Sequence, residues 1–175
     1  EGAASRSGVF FETVERGFES QLGWQVIDLA DMVGDEAYMT MWNDKTPEIN
    51  KTLSAKWGAG LCPEGVLHKD LISTLGTEER DALMAELNVE HLAVAGINIS
   101  SVEVFGPKAV KLKAYVTVKV FAKGEKKPVW NGLAVGAATE GEVLAGFSSK
   151  EPDALPLMVE SLHLAMQKLG EKFPG

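Results

Sequence analysis

From Val110 to Val120, just before Phe121, the apolar and polar residues alternate without a break. Val110, Leu112, Ala114, Val116, Val118 and Val120 fall on one side, Lys111, Lys113, Tyr115, Thr117 and Lys119 on the other. Successive side chains of a β-strand leave opposite faces, so a period of two predicts a half-buried antiparallel strand. Turn-forming stretches bound it, Phe105-Gly106-Pro107-Lys108 before and Lys123-Gly124-Glu125-Lys126-Lys127-Pro128 after. The segments beyond those turns, His91 to Val104 and Val129 to Thr139, complete a predicted three-stranded meander. Leu92 to Ile97 is nearly all apolar, as expected of a strand covered on both faces. Gly132, Ala134, Gly136 and Ala138 give the last strand one smooth face, suited to close packing by a helix or by another chain.

A different period flanks the meander. Phe10, Val14, Phe18 and Leu22 recur every four residues and predict a helix over Val9 to Leu22, capped by Ser7 and ended by Gly23. Trp24 to Leu29 reads as a short strand ending near Asp28. Asp31 to Lys45 has weak helical periodicity. Thr46, Pro47 and the stripe Ile49, Leu53, Trp57 predict a helix closed by Gly58. Gly58 to Lys69 reads as a loop, and a helix from Thr77 to Leu87 ends at Asn88, a residue that tolerates left-handed backbone. After a second loop, Gly141 to Lys150, the stripe Leu155, Met158, Val159, Leu162, Ala165, Met166 and Leu169 predicts a terminal amphipathic helix from about Pro152. Asp153 should cap it, Gly170 should stop it, and Phe173-Pro174 should pack as a tail. The fold expected is one α/β domain over residues 9–175, a mixed sheet with a long antiparallel meander and helices packed against it. Glu1 to Gly8 reads as a disordered or processed end outside that domain.

Composition narrows the functions. At 175 residues the chain suits one domain that buries roughly 70% of its unfolded surface. No apolar run approaches the ~18 residues of a membrane helix. A net charge of −8 argues against nucleic acid as the main partner. With Cys62 the single cysteine, an intramolecular disulfide and a cysteine-rich metal site are excluded.

Few residues point to chemistry. His68, His91 and His163 have no partner at ligand spacing. No phosphate-binding loop, dinucleotide fingerprint or Gly-x-Ser-x-Gly elbow is present, so no cofactor is expected. Two groups remain. Asp28 and Asp31 follow the first predicted strand, where α/β sheets often bind ligands. With Cys62 and His68 of the glycine-rich loop they could line a cleft for a small ligand or a reaction. The plain alternative is helix capping for the aspartates and a loop setting for the other two. The second group is basic: Lys108, Lys111, Lys113, Lys119, Lys123, Lys126 and Lys127 sit in or beside the long hairpin, with Glu125 the only acid among them. On an acidic chain this patch could meet an acidic protein, an anionic glycan or a lipid headgroup. The plain alternative is a solvated face whose lysines discourage edge-to-edge pairing. An exposed Tyr115 within the row favours contact.

The order of elements, the segment Leu87-Asn88-Val89-Glu90-His91-Leu92-Ala93-Val94-Ala95-Gly96-Ile97, the hairpin, Val129-Trp130-Asn131-Gly132 and the terminal helix together resemble a bacterial envelope domain. That domain is shared by the N-terminal part of TolB, the curli-secretion lipoprotein CsgG and the penicillin-binding-protein activator LpoB. Asn88-Val89-Glu90 stands where that family has Gly-Ala-Asp. The resemblance implies a periplasmic or outer-membrane lipoprotein that binds other envelope proteins, with no catalytic residues to transfer. Three functions therefore stand as expectations. One is a non-catalytic interaction module using Lys111, Lys113, Tyr115 and Lys119. Another is a ligand or reaction cleft around Asp28, Asp31, Cys62 and His68. The last is a homo-oligomer joined through Gly132 to Ala138.

Overall fold

A computed structural model of the chain describes residues 3–44, 65–67, 72, 75–103, 109–138, 141–142 and 154–174. It is a mixed α/β single domain. Helices α1 (Ala3–Leu22), α2 (Leu29–Gly34), α3 (36–44) and α4 (Thr77–Glu86) come before the sheet. Strands β1 (His91–Glu103), β2 (Ala109–Ala122), β3 (Trp130–Ala137) and β4 (Gly141–Glu142) follow, and α5 (Ala154–Gly170) comes last. The spatial order is β1-β2-β3, with β4 also on β2, and every described pairing is antiparallel.

The alternation in β2 decides the layering. Leu112, Ala114, Val116, Val118 and Val120 are buried, and four of these five pack with Val14, Phe18 and Leu22 of α1 and with Leu162, Ala165, Met166 and Leu169 of α5. The fifth, Leu112, joins Ala138 and Met158 at the far end. One helical layer, α5 with α1 beside it, thus covers one face of the sheet. The smooth face of β3 makes this possible. A Cβ on Gly136 would lie 1.9 Å from the Ser161 carbonyl and 2.4 Å from the Ala165 nitrogen, so the helix backbone rests directly on the strand. That face is therefore occupied within the chain, and the expected oligomer contact through Gly132 to Ala138 gives way to α5. Gly17 does the same between helices, lying against Met166.

Among the described residues, the other face is covered at one end. Val94 and Phe121 pack there with Leu75 and Leu83, in a second cluster that includes Tyr38 of α3, Leu67 and Ile72. Arg80 ties this end down. Its guanidinium is buried, 4.4 Å from the Phe121 ring centroid, and donates to the carbonyls of Leu75 (2.6 Å), Glu125 (3.3 Å) and Lys126 (3.4 Å). Asp81 accepts from the Gly124 N–H at 2.9 Å. The β2–β3 turn, with Gly124 at φ 80°, is held by α4 through both residues.

Several boundaries differ from expectation. α1 starts at Ala3, not Val9, and so runs through most of the segment taken as a disordered end. Its Ala3-Ala4-Ser5-Arg6 start contains nothing that opposes helix. Gly23 ends it as expected, at φ 67°. Trp24 to Asp28 pairs with no strand among the described residues. Trp24 instead joins a ring cluster with Phe18, Trp130 and Phe173, at centroid distances of 5.0, 6.3 and 5.3 Å. Gly76 is the N-cap of α4, its N–H donating to Glu79 Oε2 at 2.8 Å. Asn88 takes the left-handed conformation, φ 50°. The helix expected over Thr46 to Trp57 lies outside the described residues, as does most of the Gly58 to Lys69 loop.

Candidate functional site

Beyond the α4 cover, no described residue packs over the second face of the sheet, and its residues are set by register. Asn98 of β1, Tyr115 of β2 and Val135 of β3 form one row across the strands. Gly96, Thr117 and Leu133 form the next, and Ser100, Lys113 and Ala137 the one on the far side of Tyr115. Lys119 stands between Val94 and Asn131. Tyr115 is 37% and Leu133 55% exposed, two of the most exposed large apolar side chains among the described residues. Tyr115 and Val135 are direct neighbours, about 5 Å apart at Cβ, and Leu133 lies on the diagonal, about 7–8 Å away and within reach of an aromatic ring, so the three make a small apolar island. Lys113 and Lys119 bracket it along β2, and Lys123, Lys126 and Lys127 lie exposed in the turn beyond. Lys111 sits further along β2, opposite Val102.

The two long edges of this sheet differ. Ala138 N–H donates to Leu112 O and Val129 N–H to Val120 O, so the even-numbered residues of β2 bond to β3 and the odd-numbered ones to β1. The odd-numbered residues of β3 therefore turn their backbone groups outward. Two of those carbonyls are taken: Lys168 Nζ donates to Val135 O at 3.0 Å and Lys172 Nζ to Leu133 O at 2.7 Å. On β1 the outward groups belong to Ala93, Ala95, Ile97 and Ile99. No described residue bonds to them.

Of the four residues expected to line a cleft, Asp28, Asp31, Cys62 and His68, the described residues include the first two. Asp28 is the N-cap of α2, accepting from the Ala30 N–H at 2.8 Å, and Asp31 lies in that helix's first turn. Capping accounts for Asp28, and a place at the positive end of the helix for Asp31. Cys62 and His68 lie outside the described residues. Asp28 also bears on α1. Burial, then the charges of Asp28, Glu19 and Glu12, push the Glu15 carboxyl above its ordinary 4.5, with Arg16 opposing. An open acidic groove is lined by Asp35, Glu36, Asp44 and Glu86. Among the described residues no His, Cys, Asp or Glu group could hold a metal ion, and no helix is long and apolar enough to cross a membrane.

Sequence reasoning located Lys113, Tyr115 and Lys119 but missed Leu133 and Val135. Their signal was the alternation in Trp130 to Ala137, where the glycine and alanine side was taken as the contact face. Once α5 covers that side, the apolar residues on the other side are left in solvent. No protein-family model, curated protein or solved structure matches the chain.

Proposed function

We propose that this chain is a non-catalytic protein-interaction module of a bacterial envelope protein, periplasmic or attached to the outer membrane, that docks a partner on the open sheet face. The observation that carries the reading is the Tyr115–Leu133–Val135 island set between Lys113 and Lys119 on a sheet whose other face packs against α5 and α1. An aromatic ring beside aliphatic area, rimmed by charge, is the composition of an interface centre. The envelope setting rests on the resemblance, read from the sequence, to the domain of TolB, CsgG and LpoB. The second reading, a small-ligand or reaction cleft around Asp28, Asp31, Cys62 and His68, has Asp28 and Asp31 at the start of α2, with the other two outside the described residues.

A photoreactive phenylalanine analogue placed at Tyr115, and separately at exposed Glu171 on the helical side, tests the docking face in cells. Light should give a discrete adduct in the envelope fraction from position 115 alone, and Lys113→Glu with Lys119→Glu should abolish it. Equal labelling from both positions, or an adduct indifferent to the charge reversal, overturns the face. Recovery of the full-length product solely in the cytosol overturns the envelope setting.

A further inference from the structure

Sheet edges in monomeric proteins are blunted by lysines, prolines, bulges or short strands, because a bare row of N–H and C=O groups templates pairing with another chain. β3 follows that rule, with Lys168 and Lys172 on its outward carbonyls. β1 does not. It has 13 residues, and from Leu92 to Val102 it carries no charged residue and no proline. Its partner register with β2 runs from His91↔Ala122 to Glu103↔Val110 without a bulge. The outward backbone groups of Ala93, Ala95, Ile97 and Ile99 have no partner among the described residues. Those residues are only half-buried, so the edge is within reach of solvent.

We infer that β1 is a strand-addition site for an extended acidic segment of a partner, which pairs with the β1 backbone and lays its carboxylates over the lysine row. The inference rests on the reading of the open face as the docking surface and adds how the partner lies on it. Pairing supplies affinity through main-chain hydrogen bonds, and alternate side chains supply specificity. Side chains of the added strand alternate between two surroundings. On the helical side they extend the apolar row of Ala93, Ala95, Ile97 and Ile99, which already packs on the core. On the open side they meet Gly96, Asn98 and Ser100, all short and uncharged, with Lys113, Tyr115, Thr117 and Lys119 immediately behind. An added strand sits about 10 Å from β2, two interstrand spacings. A glutamate and a lysine side chain together cover that span most directly at Lys113, where the residue between is Ser100; at Lys119 it is Val94.

Charge selects the occupant. A second copy of this chain would present its own uncharged Leu92–Val102 and leave Lys113 and Lys119 unneutralised. An acidic segment neutralises them. The overall charge of −8 opposes its approach only weakly, because at physiological salt charges are screened beyond about 8 Å.

The test uses the isotopically labelled full chain and an acetylated peptide of about ten residues alternating valine and glutamate, matched to β1 at ~3.4 Å per residue. Amide exchange is followed with and without it, and with a valine–lysine peptide. The expected result is slowing of about tenfold or more at the amides of Ala93, Ala95, Ile97 and Ile99 with the glutamate peptide alone. Gly96 and Asn98, already paired to β2, should change little. Ala95→Pro removes an outward N–H without touching the β2 ladder and should abolish the protection. Proline also stiffens the strand itself, so Lys113→Glu/Lys119→Glu on the unaltered edge is the second variant and should abolish the protection too. Protection at the four amides that rises with protein concentration and needs no peptide would mean self-pairing and overturn the acidic occupant. Shifts confined to Tyr115, Thr117 and Leu133, with the four amides still exchanging freely, would keep the docking face and overturn strand addition. No response to the glutamate peptide at either place overturns the inference.

Discussion

Gly136→Ala is the sharpest test of the packing that frees the open face for binding. The added Cβ would lie 1.9 Å from the Ser161 carbonyl, where real contacts do not fall below 3.0 Å, so α5 must retreat by about 1.1 Å. The obstacle is backbone, which cannot rotate away. Leu162, Ala165, Met166 and Leu169, all at 0% exposure, would then stand off the sheet together. A gap of 0.5–1 Å forfeits roughly a quarter to a half of the dispersion energy of each contact, and overpacking of this kind costs about 3 kcal/mol. That is a large share of the roughly 5–15 kcal/mol available to a domain. Urea unfolding followed by the fluorescence of Trp24 and Trp130, which share a ring cluster, should show a midpoint about 1.5 M lower at a slope of about 2 kcal/mol/M. Gly124→Ala is the control: it has nothing within 4 Å and pays only for its φ of 80°, about 1 kcal/mol. If Gly136→Ala stays within about 0.5 kcal/mol of the parent, the direct helix-on-strand contact is refuted.

Other outcomes follow from single groups. Arg80→Met keeps the apolar contact to Phe121 but strands the carbonyls of Leu75, Glu125 and Lys126, and should cost about 3 kcal/mol in chemical denaturation. Glu15 carries a raised folded-state pKa, so its stabilising protonated form is present below about pH 4.5 and is lost as pH rises through the folded value. Glu15→Gln should therefore stabilise the protein at pH 7, by thermal melting, and the advantage should vanish at pH 4. Lys168→Ala with Lys172→Ala should leave the melting temperature nearly unchanged, yet raise light scattering on concentration, because it uncovers the β3 edge.

The meander was legible because its signals are local: eleven alternating residues in β2, turn residues on both sides, and an unbroken 3.6-residue stripe in α5. Asn88 and Gly23 were legible because their backbone angles suit few other residues. Trp24 to Asp28 was misread as a strand because buried aromatics favour strands, while the actual demand on Trp24 comes from Phe173 and Trp130, more than 100 residues away in sequence. The candidate site was half legible. Lysines on a polar strand face announce themselves, but the exposure of Leu133 depends on which side of β3 receives α5, and that is settled by the helix backbone meeting Gly136. The open edge of β1 could not be read at all, since no local pattern says whether a strand lies at the centre or the border of its sheet.

A charge-swap titration tests the central claim most directly. Binding of the valine–glutamate and valine–lysine peptides is measured for the parent protein and for Lys113→Glu/Lys119→Glu, each across a range of salt. The account predicts that the parent binds only the glutamate peptide, with affinity falling as salt rises, and that the reversed protein loses it and gains the lysine peptide. Unchanged affinity of the reversed protein for the glutamate peptide would contradict the account, because it would place recognition somewhere other than the lysine-flanked face of this sheet.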